Sequence, residues 1–342
     1  MVELNGKKIL VTFLMHLGDL TLTTPFIHAL RKAAPDAHIT MLVDEKLKGV
    51  VLFNPYLDEV VTIDKKGRDN SILSLWACSR HLSKLDFDVL INLHPNERCS
   101  FIDAMTSVKL RTGTTHKIFK WFWDVFTPLD RSMHAADMYL DVLQQLDVQD
   151  LSNNGLEIFP GEEHFLEAEL FWQEQNITDQ DKLIGFNIGS AVPTKRWPPE
   201  RFAEVADIFA AKGYKTVFFG GPMDEEMVAE ATGYMQTRPI IATGHFAIGG
   251  LAAAMRRCCL IITNDSGPMH VAISQKVPIV AMYGPSNPKL YGPYTKDAVI
   301  VTAQPPCQGC ADGMKHSCDD LQCMSRMTVE QVVAAAEKML EK

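Results

Sequence analysis

Residues that can bind a phosphorylated ligand follow the apolar run 260–262. Asp265, Ser266 and Gly267 come directly after this run, and His270 follows within the next helical turn. The run predicts a buried parallel strand, and Pro268 fits the first turn of a following helix. Open α/β sheets bind ligands at the carboxyl ends of their strands, where a helix amino end favours an anion. An ordinary turn rich in Asp, Ser and Gly is the alternative, but the concentration of these residues favours a ligand site.

A second predicted strand end, after 182–188, carries residues suited to a diphosphate. Ser190 and Lys195 precede a predicted helix at 199–212. A hydroxyl, an ammonium group, backbone N–H groups and a helix amino end together form an anion site. The glycine spacing fits neither a Walker loop nor a dinucleotide fingerprint.

Two further strand ends carry residues suited to a nucleoside. Asp224 and Glu225 follow the run 216–220, and an acidic residue there can accept hydrogen bonds from ribose hydroxyls. His245 and Phe246 follow the run 240–242 and can border a nucleobase. Four successive strand ends of this kind indicate one nucleotide-binding edge.

Near the amino terminus, Gly18 and Asp19 follow the first predicted strand. Glycine lets the backbone approach a ligand closely, and the carboxylate can accept a proton as a general base. The alternative is that Asp19 only caps the next helix.

The elements that must position these residues alternate between strand and helix in both halves of the chain. The 342 residues are 46% hydrophobic, which is enough for two cores. We therefore predict an α/β fold with two doubly wound Rossmann-like domains facing across a cleft. The predicted boundaries are 1–155, 156–327 and a terminal helix at 328–342.

Charge and hydropathy exclude several classes of protein. The net charge of −9 argues against general nucleic-acid binding. No apolar run approaches the roughly 20 residues of a membrane helix, and the amino terminus resembles a first strand rather than a signal peptide. We expect a cytoplasmic protein.

The segment 111–131 is basic and aromatic and fits neither the helix nor the strand period. It contains Lys117, Lys120, Trp121 and Trp123. One interpretation is that its aromatic residues complete the core. The other is an acceptor-binding or membrane-surface segment.

Several motifs resemble those of the ADP-heptose:lipopolysaccharide heptosyltransferases, glycosyltransferase family 9. The resemblance covers nearly the whole chain in order, through Gly18-Asp19, Thr24-Pro25, Leu30-Arg31, Pro35, Lys195–Pro198, Gly220–Glu225, Asn264–His270 and Tyr283–Pro288. It implies the GT-B architecture and inverting, metal-independent transfer of heptose from ADP-heptose to a lipopolysaccharide core or related glycan. It also implies an anionic glycolipid acceptor, reached by peripheral contact at the inner face of the cytoplasmic membrane.

The resemblance further implies roles for individual residues. Asp19 would be the catalytic base. The donor would contact Gly18, Ser190, Lys195, Glu225, His245, Phe246, Asp265, Ser266, Gly267 and His270. On the acceptor side, Asn96, Arg98 and Ser100 lie where the family has a polar, basic turn, and Lys117 and Lys120 are candidates by charge.

Four cysteines near the carboxyl terminus have the spacing C-x2-C-x7-C-x4-C: Cys307, Cys310, Cys318 and Cys323. Four thiolates suit a structural zinc or iron ion, although the inner spacing is shorter than in common zinc ribbons. Free thiols or disulfides are the alternative, and no catalytic role is expected.

Other functions remain open on sequence grounds. A transferase of another nucleotide sugar would share these motifs. An enzyme of the UDP-GlcNAc 2-epimerase type would prefer UDP and turn over without an acceptor. A nucleotide-binding adaptor would bind the donor and transfer nothing.

Overall fold

The computed structural model describes residues 2–303, 318 and 320–341. The chain divides between Phe159 and Pro160 into two compact units, which we call the first and the second unit. The boundary predicted from the sequence lies after residue 155. Within the described ranges, every helix is too short or too polar to cross a bilayer.

The first unit is built on a six-stranded parallel sheet. Its strands are β1 Lys8–Thr12, β2 His38–Asp44, β3 Glu59–Ile63, β4 Phe87–Asn92, β5 Val108–Gly113 and β6 Val125–Phe126. The spatial order β3-β2-β1-β4-β5-β6 reverses between β1 and β4. Its helices are α1 Leu17–Thr21, α2 Thr24–Ala33, α3 Ile72–Ser83, α4 Glu97–Met105 and α5 Ala135–Gln145, with 3₁₀ helices Glu45–Val50 and Lys117–Phe122. Central strands such as β1 are almost wholly apolar because helices cover both faces of a parallel sheet.

The second unit repeats this plan. Its strands are β7 Leu183–Asn187, β8 Lys215–Phe219, β9 Ile240–Ile241, β10 Cys258–Asn264, β11 Ile279–Met282 and β12 Ala298–Val301. They are parallel in the order β12-β11-β10-β7-β8-β9, which reverses between β10 and β7. Its helices are α6 Glu162–Glu174, α7 Pro199–Ala211, α8 Glu225–Tyr234, α9 Ile248–Met255, α10 Gly267–Ser274, α11 Pro288–Tyr291, α12 Gln322–Ser325 and α13 Val329–Leu340, with 3₁₀ helices Pro193–Lys195 and Pro222–Asp224. The terminal helix α13 packs against β10, β11, β12 and α7 of this unit.

The predicted α/β class and the alternation of strands with helices are confirmed. Thr23 is the N-cap residue of α2, and Pro25 lies in its first turn. A separate 3₁₀ turn precedes α8, because the Asp224 carboxylate accepts a hydrogen bond from the Gly221 N–H at 2.9 Å. Helix α4 was not predicted, since its polar residues Ser100 and Asp103 are buried and obscure the apolar period.

The segment 111–131 belongs partly to the core and partly to the surface. Its first residues complete β5, and Trp123 is buried with its indole N–H donating to the Thr112 carbonyl at 3.0 Å. Trp121, two residues earlier on the 3₁₀ helix, is 94% exposed. One tryptophan therefore belongs to the core and the other to the surface.

A carboxyl group is fully buried beneath the carboxyl end of β1. The Thr12 hydroxyl donates to Asp103 Oδ2 at 2.8 Å, and the Cys99 thiol lies 3.8 Å from the same oxygen. The other oxygen, Oδ1, is buried and has no hydrogen-bond partner among the described residues. Burial raises the pKa of Asp103 to about 8, so this carboxyl is protonated at neutral pH.

This buried carboxyl should make stability fall with rising pH. Between pH 3.8, the ordinary pKa, and about 8, Asp103 ionises in the unfolded chain but stays protonated in the folded one. We expect Asp103→Asn to remove this dependence. The unfolding free energy of the variant minus that of the wild type should therefore rise by about 1.4 kcal/mol per pH unit in this window. Urea denaturation across the window measures the difference. The exposed Asp179→Asn is the control, and parallel curves for Asp103→Asn and wild type would contradict the prediction.

Candidate active site

The second sheet reverses its strand order between β10 and β7, which pair in parallel with Thr263 beside Asn187. Such a reversal separates the loops that follow the two strands and opens a ligand site at the carboxyl edge. The loops here are 188–198 and 265–266. They hold the predicted diphosphate and sugar-binding residues.

Two asparagines tie these loops together. Asn187 Nδ2 donates to the hydroxyls of Thr263, at 3.0 Å, and Ser266, at 2.8 Å. Asn264 Nδ2 donates to the Ile188 carbonyl at 2.7 Å, and its Oδ1 accepts the Trp197 N–H at 3.1 Å. Because these bonds are buried or nearly so, the two loops are held in one arrangement.

Lys195 and Asp265 form an ion pair at this edge. The Lys195 ammonium lies 2.7 Å from Asp265 Oδ2, and both side chains are mostly buried. The Ser286 hydroxyl, which follows β11, donates to the same carboxylate oxygen. Burial raises the pKa of Tyr283 well above its usual value, and the nearby Asp265 charge raises it further. A cation, a carboxylate and two hydroxyls therefore meet where a sugar phosphate can bind.

The amino end of α10 lies beside this cluster. Ser266 is its N-cap residue, but the Ser266 hydroxyl does not cap the helix and instead accepts the bond from Asn187. The Gly267 N–H, at the first helical position, can therefore serve an anion, whereas Pro268 has no N–H and the Met269 N–H donates to the Ser266 carbonyl at 3.2 Å. His270 is buried within the same helix.

The loop after β7 approaches Asp224 closely. Ser190 is buried, and its carbonyl accepts a bond from Arg196 Nε at 2.8 Å. A Cβ on Gly189 would lie 2.2 Å from Asp224 Oδ1, so only glycine fits there. Asp224 is thus enclosed by the protein, which leaves Glu225 as the available carboxylate.

Glu225 lies beside an aromatic cluster. It is exposed, and its Oε1 would lie 2.6 Å from a Cβ placed on Gly244, whose φ is +74°. The next residues, His245 and Phe246, pack on Phe171 of α6 with ring centroids 4.6 and 5.0 Å away. Because His245 is exposed, this cluster can offer a ring face to a base.

In the first unit, Gly18 and Asp19 lie in the first turn of α1. His16 is the N-cap residue, so Asp19 is not the cap. Asp19 is partly exposed. The helix begins at the carboxyl end of β1, next to the strand reversal of this sheet.

A buried lysine holds the loop that leads to α1. Lys65 Nζ donates to the carbonyls of Leu14 and Met15, at 2.9 Å each, and lies 3.1 Å from Asp44 Oδ2. The Lys65 side chain is 14% exposed and that of Asp44 is 6% exposed. These bonds fix the backbone from which Asp19 projects.

Histidine 94 lies at the same edge after β4. Burial, together with the nearby charges of Lys65 and His16, lowers the pKa of His94 to about 4. The ring is therefore buried and neutral at physiological pH.

The predicted acceptor residues lie in different environments. The Asn96 side chain caps α4 by accepting the Cys99 N–H at 2.7 Å. The Arg98 guanidinium donates to the Lys65 carbonyl and to Asn70 Oδ1. Both side chains thus stabilise the local fold.

The remaining acceptor candidates lie around the 3₁₀ helix Lys117–Phe122. Ser100 is buried, and its hydroxyl accepts the His116 N–H at 2.8 Å. Lys117 and Lys120 are exposed, and the Lys120 ammonium lies 4.1 Å from the Phe126 ring centroid. Of the acceptor candidates, Lys117 and Lys120 are thus the ones with exposed ammonium groups.

The predicted metal-binding cysteines cannot all be placed. Cys307 and Cys310 lie outside the described residues, whereas Cys318 is partly buried and Cys323 is buried. Among residues 2–303, 318 and 320–341, no cluster of three or more His, Cys, Asp or Glu is arranged to hold a metal ion. The four-cysteine site stays a prediction.

Sequence reasoning missed several residues of these edges. Ser286 and Asn264 belong to quoted motifs but received no role, and Asn187 was read only as the end of a strand. Lys65 and Asp44 gave no signal, since their pairing joins residues 21 positions apart.

The buried Lys65–Asp44 pair yields a stability prediction. Lys65→Met would leave the Asp44 carboxylate buried without its cation and two carbonyls without a donor. We expect the unfolding free energy to fall by about 3 kcal/mol. Lys66→Met, at the exposed neighbouring position, should change it by less than about 0.5 kcal/mol. Equal urea midpoints for the two variants would show that the pair does not hold the loop.

A family model and a curated relative match this chain over most of its length. The family model described as glycosyltransferase family 9 (heptosyltransferase) matches residues 75–318. Lipopolysaccharide heptosyltransferase 3 of Escherichia coli (strain K12) is 24% identical over 341 residues, which is 94% of this chain and 95% of that protein.

Two solved structures share the fold. The glycosyl transferase family 9 protein of Veillonella parvula DSM 2008 is 53% identical, with a TM-score of 0.95 over 99% of each chain. The E. coli heptosyltransferase WaaC with ADP-2-deoxy-2-fluoro heptose is 16% identical, with a TM-score of 0.73 over 97% of this chain and 99% of that one. The fold is that of the GT-B glycosyltransferases, and the chain belongs to glycosyltransferase family 9, so it is a glycosyltransferase.

Proposed function

We propose that this enzyme transfers heptose from ADP-heptose to a lipopolysaccharide core or a related anionic glycan, with inversion and without a catalytic metal ion. The observation that carries the proposal is the cluster of Lys195, Asp265 and Ser286 beside the amino end of α10. In a family 9 glycosyltransferase, this is the chemistry expected around a sugar diphosphate. The E. coli lipopolysaccharide heptosyltransferase and the WaaC complex with an ADP-heptose analogue support the same donor and acceptor classes.

Each part of the donor has a suitable partner in the second unit. Lys195 and the Gly267 N–H at the start of α10 suit the diphosphate. The exposed Glu225 carboxylate suits the ribose hydroxyls, and the His245–Phe246 turn suits the adenine ring. Asp265 and Ser286 suit the sugar hydroxyls. Ser190, Ser266, Gly267 and His270 would complete this pocket, and Gly18 would let the backbone of the first unit approach the donor.

The proposed reaction is a single displacement at the anomeric carbon. An acceptor hydroxyl oxygen forms the new bond to this carbon while the bond to the diphosphate oxygen breaks, and ADP leaves with that electron pair. Asp19 takes the proton from the attacking hydroxyl, as a general base. Lys195 and α10 stabilise the negative charge that grows on the leaving diphosphate.

The acceptor side of the proposal rests on the first unit. An anionic glycan would meet the exposed ammonium groups of Lys117 and Lys120, since Asn96 and Arg98 are engaged in local bonds. A glycolipid acceptor would require peripheral contact with the cytoplasmic membrane.

Calorimetric titration tests the donor assignment. With chelator present, we expect the protein to bind ADP and ADP-heptose and to prefer both over UDP. Lys195→Ala should weaken ADP binding at least about tenfold, because a charge-assisted bond is lost and Asp265 is left facing the phosphates. Lys212→Ala, on the exposed pair with Glu337, is the control and should bind ADP normally. A preference for UDP would instead favour the epimerase-type alternative.

Replacing the proposed base should separate chemistry from binding. We expect Asp19→Asn to lower kcat by about 10²–10⁴-fold, the usual contribution of a general base, while ADP affinity changes less than about twofold. The exposed Asp36→Asn is the control in the same unit. Steady-state kinetics and ADP titration provide the two measurements. Unchanged turnover in Asp19→Asn would show that another group takes the proton.

A further inference from the structure

Six large apolar side chains project into solvent from two helices of the first unit. Their exposed fractions lie between 42% and 94%. We call this set the tryptophan surface; it consists of Ile72, Leu73 and Trp76 on α3 and Ile118, Trp121 and Phe122 on the 3₁₀ helix Lys117–Phe122. Covering these side chains would remove apolar surface from water, which is favourable, so this set is a candidate interaction surface.

The two helices lie on one face of the sheet. The connections from β3 to β4, β4 to β5 and β5 to β6 run in the same direction, so right-handed crossovers place α3, α4 and the 3₁₀ helix together. Helix α4 packs against both of the others, and its Phe101 ring meets the Phe119 ring at 6.3 Å. The tryptophan surface is therefore one region, with α4 at its centre.

This region borders the proposed acceptor edge. Each of the three helices begins after the carboxyl end of a strand, as α1 with Asp19 does. Ile72 and Leu73 are the first two residues of α3, and Lys117 and Ile118 begin the 3₁₀ helix. A bilayer that received these apolar residues would thus lie beside the edge of the first unit that carries Asp19.

The two helices that carry the surface hold only basic charged side chains, whereas α4 between them begins with the exposed Glu97, whose carboxylate lies 3.9 Å from the His116 ring. Residues 104–123 and 70–85 contain no Asp or Glu, although the whole chain has a net charge of −9. Lys117 and Lys120 flank Ile118 and Trp121, and the Arg80 guanidinium lies 5.5 Å from the Trp76 ring centroid. Basic residues beside exposed tryptophans match the interface of an anionic bilayer, where aromatic rings enter the headgroup region.

We propose that the tryptophan surface docks the enzyme on an anionic lipid bilayer. The proposal rests on the proposed function, because a glycolipid acceptor must be reached at a membrane. A protein partner explains the surface less well, since lysine is depleted in protein interfaces. Lys117 and Lys120 would contact lipid headgroups while Trp121, Ile118 and the first turn of α3 enter the interfacial layer.

The test is co-sedimentation of the full chain with phosphatidylcholine vesicles, with and without phosphatidylglycerol. We expect binding only to the anionic vesicles and weaker binding at high salt. The double variant Trp76→Ser with Trp121→Ser should lose at least about tenfold in vesicle affinity. The matched control is Leu166→Ser with Leu170→Ser, which removes two exposed leucines from α6 of the second unit and should bind like the wild type.

Three outcomes would overturn the proposal. They are no binding of wild type to anionic vesicles, equal binding by the tryptophan variant, and equal loss in the leucine control. Sedimentation velocity without lipid covers a further case: a wild-type dimer that the tryptophan variant converts to monomer would assign the surface to a second copy of this chain.

The readout is independent of the transfer reaction. Vesicle binding needs neither donor nor acceptor, so it can succeed even if the proposed donor is wrong. With a delipidated, water-soluble core glycan as acceptor, the tryptophan variant should keep wild-type turnover. Failure of wild type to transfer heptose would reject the proposed function while leaving the vesicle result to decide the docking surface.

Discussion

The parallel pairing of β7 with β10 is the constraint on which the candidate donor site depends. These strands lie at the point where the order of the second sheet reverses, so their loops diverge at the carboxyl edge. Asn187 and Asn264 then tie the loops together through four hydrogen bonds. Lys195, Asp265 and the start of α10 owe their proximity to this pairing, although they are up to 72 residues apart in sequence.

The charges at this edge are arranged before any ligand binds. Lys195 is paired with Asp265, which also accepts from Ser286, so the ammonium group is ordered and partly shielded. An incoming diphosphate would compete with the carboxylate for the lysine, and the carboxylate would then be available to sugar hydroxyls. Preorganised charge of this kind costs little reorganisation during a reaction that develops negative charge.

In the first unit, a short loop and the five-residue helix α1 must be held at the sheet edge. Lys65 does this by bonding two loop carbonyls while its charge is balanced by Asp44. Beneath the loop, Thr12 and the protonated Asp103 fill a buried polar space. Helix α3 and the 3₁₀ helix Lys117–Phe122 also carry basic and apolar side chains that take no part in this core and remain exposed.

Local sequence patterns were enough to predict the α/β class, the two repeated halves and the turns that carry Asp19, Lys195, Glu225 and Asp265. Apolar runs, helix caps and turn residues are local signals, and the carboxyl ends of parallel strands share one edge whatever the details of packing. Which of these side chains are available depends instead on tertiary packing. Asp224 is enclosed while Glu225 is exposed, and Trp123 is buried while Trp121 is exposed. The side chains of Asn96 and Arg98 are engaged in local hydrogen bonds. Each of these outcomes depends on contacts between residues distant in sequence, which no local pattern encodes.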